Sequence, residues 1–165
     1  MRRVFIFGLV TALTNLAVAA EEKKVDVSTI ILRADAEKIL GEPVNDARIR
    51  NMDGQDGYYS KCTYSSMNPG KSLILRVYQA APGAPGPRKQ FEMLKSGGIA
   101  LKPVTGLGDK AGVFSGGTES GPVKGIMLYV ARGNAFVTVG VGGVVDEVAA
   151  LEKAKGVARK ILAKF

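Results

Sequence analysis

The chain is 165 residues long, is 46% hydrophobic, and carries 23 Lys and Arg against 15 Asp and Glu, for a net charge of +8. It contains no histidine and one cysteine, Cys62. The first absence excludes Ser-His-Asp and Cys-His catalysis and most zinc sites, and the second excludes an intrachain disulfide.

Arg2 and Arg3 precede an apolar run from Val4 to Leu13. Small residues follow at Ala17, Val18, Ala19 and Ala20, and charge returns at Glu21. A positive start, an apolar stretch and a small-residue cleavage site, in that order, predict a cleavable signal peptide over residues 1–20. The cut falls after Ala19 or Ala20, leaving a single globular domain over residues 21–165 in the periplasm or outside the cell. The apolar run is shorter than the roughly 20 residues that span a bilayer, and Thr14 and Asn15 interrupt it. No later segment is apolar enough to cross a membrane after cleavage. Removing Arg2 and Arg3 with the leader leaves 21 basic against 15 acidic residues, a net of +6. The basic residues form no dense run, so no nucleic-acid partner is expected.

In chain order, Ile30 to Leu40 reads as a short helix with Asp35 as N-cap, stopped by Gly41 and Pro43. Asp46 to Asn51 and Tyr58 to Ser65 read as strands around the turn Asp53-Gly54-Gln55-Asp56-Gly57. Lys71 to Gln79 alternates, with Leu73, Leu75 and Val77 on one face and Ile74, Arg76 and Tyr78 on the other. Ala80 to Pro87 is a Pro/Gly loop, and Pro87 opens a helix over Arg88 to Lys95 with Phe91 and Leu94 inward. The turn Gly106-Leu107-Gly108-Asp109 leads into a strand over Ala111 to Ser115. After a turn at Gly116 to Pro122, Gly125 to Arg132 and Ala135 to Val141 form a hairpin through Gly133-Asn134. Asp146 to Lys164 is a helix with an apolar stripe of Val148, Leu151, Ala154, Ala158, Ile161, Leu162 and Phe165. Helices thus alternate with runs of strands whose connections are too short for parallel crossovers. The fold class is α+β: a meandering antiparallel sheet of about six strands packed by two or three helices.

Chemical motifs are sparse. Gly140-Val141-Gly142-Gly143-Val144-Val145 imitates the start of a dinucleotide fingerprint, but Val145 stands where its third glycine would be, so it reads as a strand-to-helix turn. Asp53 to Gly57 resembles a fragment of a calcium loop, yet Tyr64 occupies the place of the terminal acid. Cys62 would need an activating base, and its neighbour Lys61 points to the opposite face of the strand. Its expected state is a small buried apolar side chain, a lone thiol. No catalytic residue, cofactor or metal is expected.

Short motifs run through the chain: Asp26-Val27-Ser28-Thr29-Ile30-Ile31, Ala34-Asp35-Ala36-Glu37, Leu40-Gly41-Glu42-Pro43-Val44, Cys62-Thr63-Tyr64, and Gly106-Leu107-Gly108-Asp109-Lys110-Ala111. Together they resemble a broad group of small exported bacterial proteins and lipoproteins of unknown function. The resemblance implies an antiparallel sheet packed on helices, as in the oxygen-evolving-enhancer proteins, and implies no activity. In those relatives the Cys-x-Tyr cysteine looks paired with an earlier one. Ser28 stands at that earlier position here, so the resemblance implies that Ser28 and Cys62 lie close together without a bridge.

Function is therefore expected at the level of class. The chain reads as a non-catalytic binding or accessory protein of the cell envelope, with an unidentified protein or small ligand as partner. The loops Ala80 to Pro87 and Gly116 to Pro122 are the expected contacts. An alternative is a basic protein that docks on anionic lipid or lipopolysaccharide through Lys153, Lys155, Arg159, Lys160 and Lys164 of the last helix.

Overall fold

The computed structural model describes residues 23–117, 124–143 and 145–165. The expected signal peptide, and residues 118–122 of the expected turn at Gly116 to Pro122, lie outside the described residues.

The class is α+β. Among the described residues, seven strands form one antiparallel sheet, against about six expected: β1 (Arg48–Gly54), β2 (Gly57–Ser65), β3 (Ser72–Ala80), β4 (Lys102–Val104), β5 (Lys110–Gly117), β6 (Lys124–Arg132) and β7 (Ala135–Gly142). Their spatial order is β1-β2-β3-β7-β6-β5-β4. The extra strand is β4. It has three residues with Pro103 at its centre, and a strand that short carries no readable alternation; proline is tolerated because β4 is an edge. Gly116 and Gly117, expected in a turn, continue β5 opposite Gly125 and Lys124.

The three α-helices among the described residues are α1 (Arg33–Leu40), α2 (Pro87–Ser96) and α3 (Glu147–Leu162). A short 3-10 turn, Val27–Thr29, precedes α1, so the expected helix from Ile30 starts later than its apolar content implied. Asp35 is not its N-cap. That place falls to Leu32, and Asp35 lies one turn inside, where its carboxylate accepts the Leu32 amide at 3.2 Å. Gly41 ends α1 in the left-handed region at φ 76°, the conformation glycine reaches without strain. α2 begins with Pro87 in its first turn, as its fixed φ favours. Asp146 caps α3, its carboxylate accepting the amides of Val148 and Ala149 at 2.9 and 3.1 Å.

The main core lies on one face of the sheet. Alternation sends Ser60, Cys62 and Tyr64 of β2 to that face with Leu73, Leu75 and Val77 of β3. Val137, Val139 and Val141 of β7 join Ile126, Leu128 and Val130 of β6 beside them. α1, α3 and the 3-10 turn cover them. The face of α3 that meets the sheet is Ala150, Ala154, Val157, Ala158, Ile161 and Leu162. Val148, expected in the stripe, is 74% exposed. At about 100° per residue it lies about 120° round the helix from the centre of that stripe. Small alanines in the stripe let α3 sit close to the branched residues of β6 and β7.

The segment before α1 is held to the same face by polar groups. Gln79 accepts the Val25 amide at 2.6 Å and donates to the Lys23 carbonyl at 3.1 Å. Ser60 accepts the Val27 amide at 3.0 Å, and the Tyr64 hydroxyl donates to the Ile31 carbonyl at 2.7 Å. Each of these pairings satisfies a buried polar group that would otherwise be costly. The turn bearing Ser28 thus lies against β2, the strand bearing Cys62.

Candidate functional site

The opposite face of the sheet is only partly covered. α2 seals one sector. Phe91 is buried there against Phe136, ring centroids 5.4 Å apart and nearly perpendicular, and Phe136 stacks on Tyr129 at 6.1 Å. Beside that sector the face is open. A groove of about 360 Å³ crosses β3, β7, β6 and β5. Ile74, Met127 and Phe114 supply its apolar walls, and Gly140, Gly142 and Gly125 its floor. The floor is glycine for a steric reason. A Cβ on Gly140 would sit 2.5 Å from the Met127 sulfur and 3.3 Å from the Ile74 Cβ, so the walls occupy the space a side chain would need.

The next row along the strands is charged. Strand register sets Arg50 opposite Lys61, Lys61 opposite Arg76, Arg76 opposite Thr138, and Thr138 opposite Tyr129. Residues directly opposite share a face, so three cations stand in line across β1, β2 and β3 and continue into two hydroxyl-bearing residues. No strand residue on this face carries a carboxylate. None of the three cations forms an ion pair with a described residue. The Nε of Arg76 is buried and has no hydrogen-bond partner among the described residues. Burial pushes the neighbouring Tyr129 hydroxyl above its ordinary pKa, while the Arg76 charge pulls it the other way. Arg76 lies two residues from Ile74 on the same face, about 7 Å along the strand. The charged row therefore borders the apolar groove.

No protein-family model and no curated protein matches the chain.

The residues expected to dock on an anionic surface are distributed differently. Lys153 donates to the Ile39 carbonyl at 2.7 Å. Lys155 pairs with Glu152 at 2.8 Å, and Lys160 pairs with Asp35 at 2.7 Å, holding α3 to α1. Arg159 is exposed, and Lys164 lines two clefts near Lys23. Three of the five thus hold the molecule's own surface together. Cys62 faces the core at 0% exposure, and burial pushes its thiol pKa up, so the thiol is shielded and protonated. The loop after β3 is exposed at Pro82, Gly83 and Pro85 and adjoins α2, whereas the other expected contact loop lies mostly outside the described residues.

The cation row is the feature that sequence reasoning missed. One signal was present: Arg76 interrupts the otherwise apolar and aromatic face of Ile74 and Tyr78. Its alignment with Lys61 and Arg50 depends on strand register, which alternation in single strands does not specify.

Proposed function

We propose that this chain is an exported, non-catalytic binding or accessory protein of the bacterial cell envelope, periplasmic or secreted, whose binding surface is the open face of the sheet. The observation that supports the reading is a groove of about 360 Å³ with apolar walls, bordered by unpaired cations and built on a rigid sheet. Concave, mostly apolar surfaces with a few convergent polar groups are where small ligands and partner side chains bind. The engagement of Lys153, Lys155 and Lys160 within the molecule favours this face over the C-terminal helix.

The test is native mass spectrometry of the protein recovered from the envelope fraction of its host, with chemical cross-linking in parallel. The expected species begins at Ala20 or Glu21 and carries an added mass or a cross-linked partner on β3, β6 or β7. Retention of Met1 to Ala19 would overturn cleavage and make the N-terminus an anchor. A bare mature protein with no cross-link to this face would overturn its role as the binding surface.

A further inference from the structure

The two edges of the sheet are built differently. β4 is short and carries Pro103 at its centre, and both features stop a strand from pairing further. β1 is the opposite edge. It has seven residues, all exposed, with no proline and an unbroken register against β2 from Arg48 to Gly54. The exposed apolar side chains Ile49 and Met52 stand on it. We propose that β1 pairs with β1 of a second copy of this chain, antiparallel and centred on Asn51, so that two sheets join into one. This edge is separate from the groove, and the pairing does not depend on what the open face binds.

The hydrogen-bonding pattern decides which groups of β1 are free. Gly54 pairs with Gly57 across the two-residue turn Gln55-Asp56, and the residues that flank such a turn bond to each other. Alternation then turns the N–H and C=O of Arg48, Arg50 and Met52 toward β2, and those of Ile49, Asn51 and Asp53 outward. The same alternation, carried across β2 and β3, turns the Ala80 amide toward β7, where it donates to the Asn134 carbonyl at 2.9 Å. None of the outward backbone groups of β1 has a hydrogen-bond partner among the described residues. The Asn51 side chain donates to Asp26 at 2.7 Å, which leaves its backbone free.

Symmetry and charge choose the register. A two-fold axis along the sheet normal keeps the open faces of both copies on one side and sets one residue of β1 opposite itself. Centred on Asn51, the pairing puts Ile49 opposite the partner's Asp53, and every outward N–H and C=O meets its complement. Arg50 falls opposite the partner's Met52, and Arg48 opposite the partner's Gly54, so no like charges are opposed. Centring on Arg50 would oppose two guanidinium groups. Centring on Met52 would carry Ile49 past the end of the partner strand. The Asn51 register also extends the cation row. In one copy the row ends at the edge, where the Arg50 Nε reaches the Met52 sulfur of its own strand at 3.2 Å. In the pair it continues into the partner's Met52 and the partner's Tyr59, and an aromatic face attracts a guanidinium.

The experiment is sedimentation equilibrium of the purified protein, in the form recovered from its host, with residue-resolved amide hydrogen exchange at low and high concentration. The expected result is a reversible monomer–dimer equilibrium. The Ile49, Asn51 and Asp53 amides should exchange freely at low concentration and be protected at high concentration, while those of Arg50 and Met52 are protected at both. Asn51→Pro removes the central N–H at a position where a solvent-facing edge tolerates proline, and should weaken dimerisation about a hundredfold. Asn51→Ala removes only the side chain and should stay within about threefold of the unaltered protein. Each change at Met52 acts twice in a symmetric pair. Met52→Lys should weaken dimerisation about fivefold and Met52→Glu should strengthen it about fivefold, both effects fading with salt. If Asn51→Pro does not fold, the opposite signs at Met52 still decide.

A monomer at every concentration would overturn the proposal. So would a dimer whose Ile49, Asn51 and Asp53 amides stay unprotected, because its contact would lie on a face of the sheet. Protection of those amides at every concentration would overturn the second copy in favour of another segment of the same chain. Protection that needs an envelope extract would overturn it in favour of a strand from a different protein. Effects of one sign at Met52→Lys and Met52→Glu would overturn the register centred on Asn51.

Discussion

The two faces of the sheet are made by the same strands, yet they are built for different ends. On β3, Leu73, Leu75 and Val77 are fully buried under α1, α3 and the 3-10 turn, while Ile74, Arg76 and Tyr78 on the alternate positions remain partly exposed. On β7 the closed face receives Val137, Val139 and Val141, and the other face receives Phe136 and Thr138, both buried, and then the glycines that floor the groove. Closure brings apolar burial and dense packing. Openness leaves a groove, an unpaired guanidinium and a row of like charges, none of which stabilises the fold. A surface that departs from the rules of stable packing in three ways at once has the character of a functional site.

The largest test of this contrast lies within one strand. Leu75→Ala removes a fully buried side chain and leaves a cavity, and is expected to cost about 3 kcal/mol in urea unfolding. Ile74→Ala, one residue away on the open face, should cost about 1 kcal/mol. Leu75 stands directly opposite Cys62, which makes the thiol a second reporter of closure. Labelling of Cys62 by a thiol reagent should require opening of the core. In Leu75→Ala it should accelerate about a hundredfold, the factor equivalent to the lost stability. Similar costs at Leu75 and Ile74 would break the contrast between the faces. Rapid labelling of the unaltered protein would show that Cys62 is not sealed.

How much of this was legible in the sequence follows the same division. The closed face was readable because alternation needs only local pattern: Leu73, Leu75 and Val77 declare a buried face whatever strands flank them. The Gly133-Asn134 hairpin and the stop at Gly41 were equally local. The phase of α3 was less so. Several choices of stripe fit its alanine-rich pattern, and the choice is settled by packing of Ala150 and Val157 on the sheet. The open face was hidden because its elements meet only through long-range order. β7 inserts beside β3 across more than fifty residues of chain, which sets Thr138 next to Arg76 and Gly140 next to Ile74. Periodicity does not carry that pairing.

A smaller effect tests the polar seal of the closed face. The Tyr64 hydroxyl is buried and donates to the Ile31 carbonyl, and Tyr64→Phe leaves that carbonyl without its partner. The expected loss is about 1–2 kcal/mol. Burial raises the Tyr64 pKa, followed by the influence of Cys62. The neutral form is therefore the one the fold favours. Its contribution is complete below the unfolded value of about 10 and is lost as pH rises beyond it. Unfolding followed from pH 8 to pH 11 should show an alkaline decline that is shallower in Tyr64→Phe. Parallel declines in the two proteins would place the alkaline sensitivity elsewhere.

The smallest effects carry opposite signs, and for that reason they separate the two kinds of positive charge most clearly. Lys160 pairs with Asp35 between α3 and α1, a surface ion pair, so Lys160→Gln is expected to lower stability by about 0.5 kcal/mol. Lys61 stands between Arg50 and Arg76 with no described ion-pair partner, so Lys61→Gln is expected to raise stability by about 0.5 kcal/mol. Both changes remove one positive charge, so they alter net charge equally, and only local surroundings distinguish them. Denaturant unfolding at low and high salt should show the two effects converging toward zero as screening grows. Destabilisation by Lys61→Gln at low salt would mean that the cation row contributes to folding, and the open face would lose the cost that marks it as a site kept for binding.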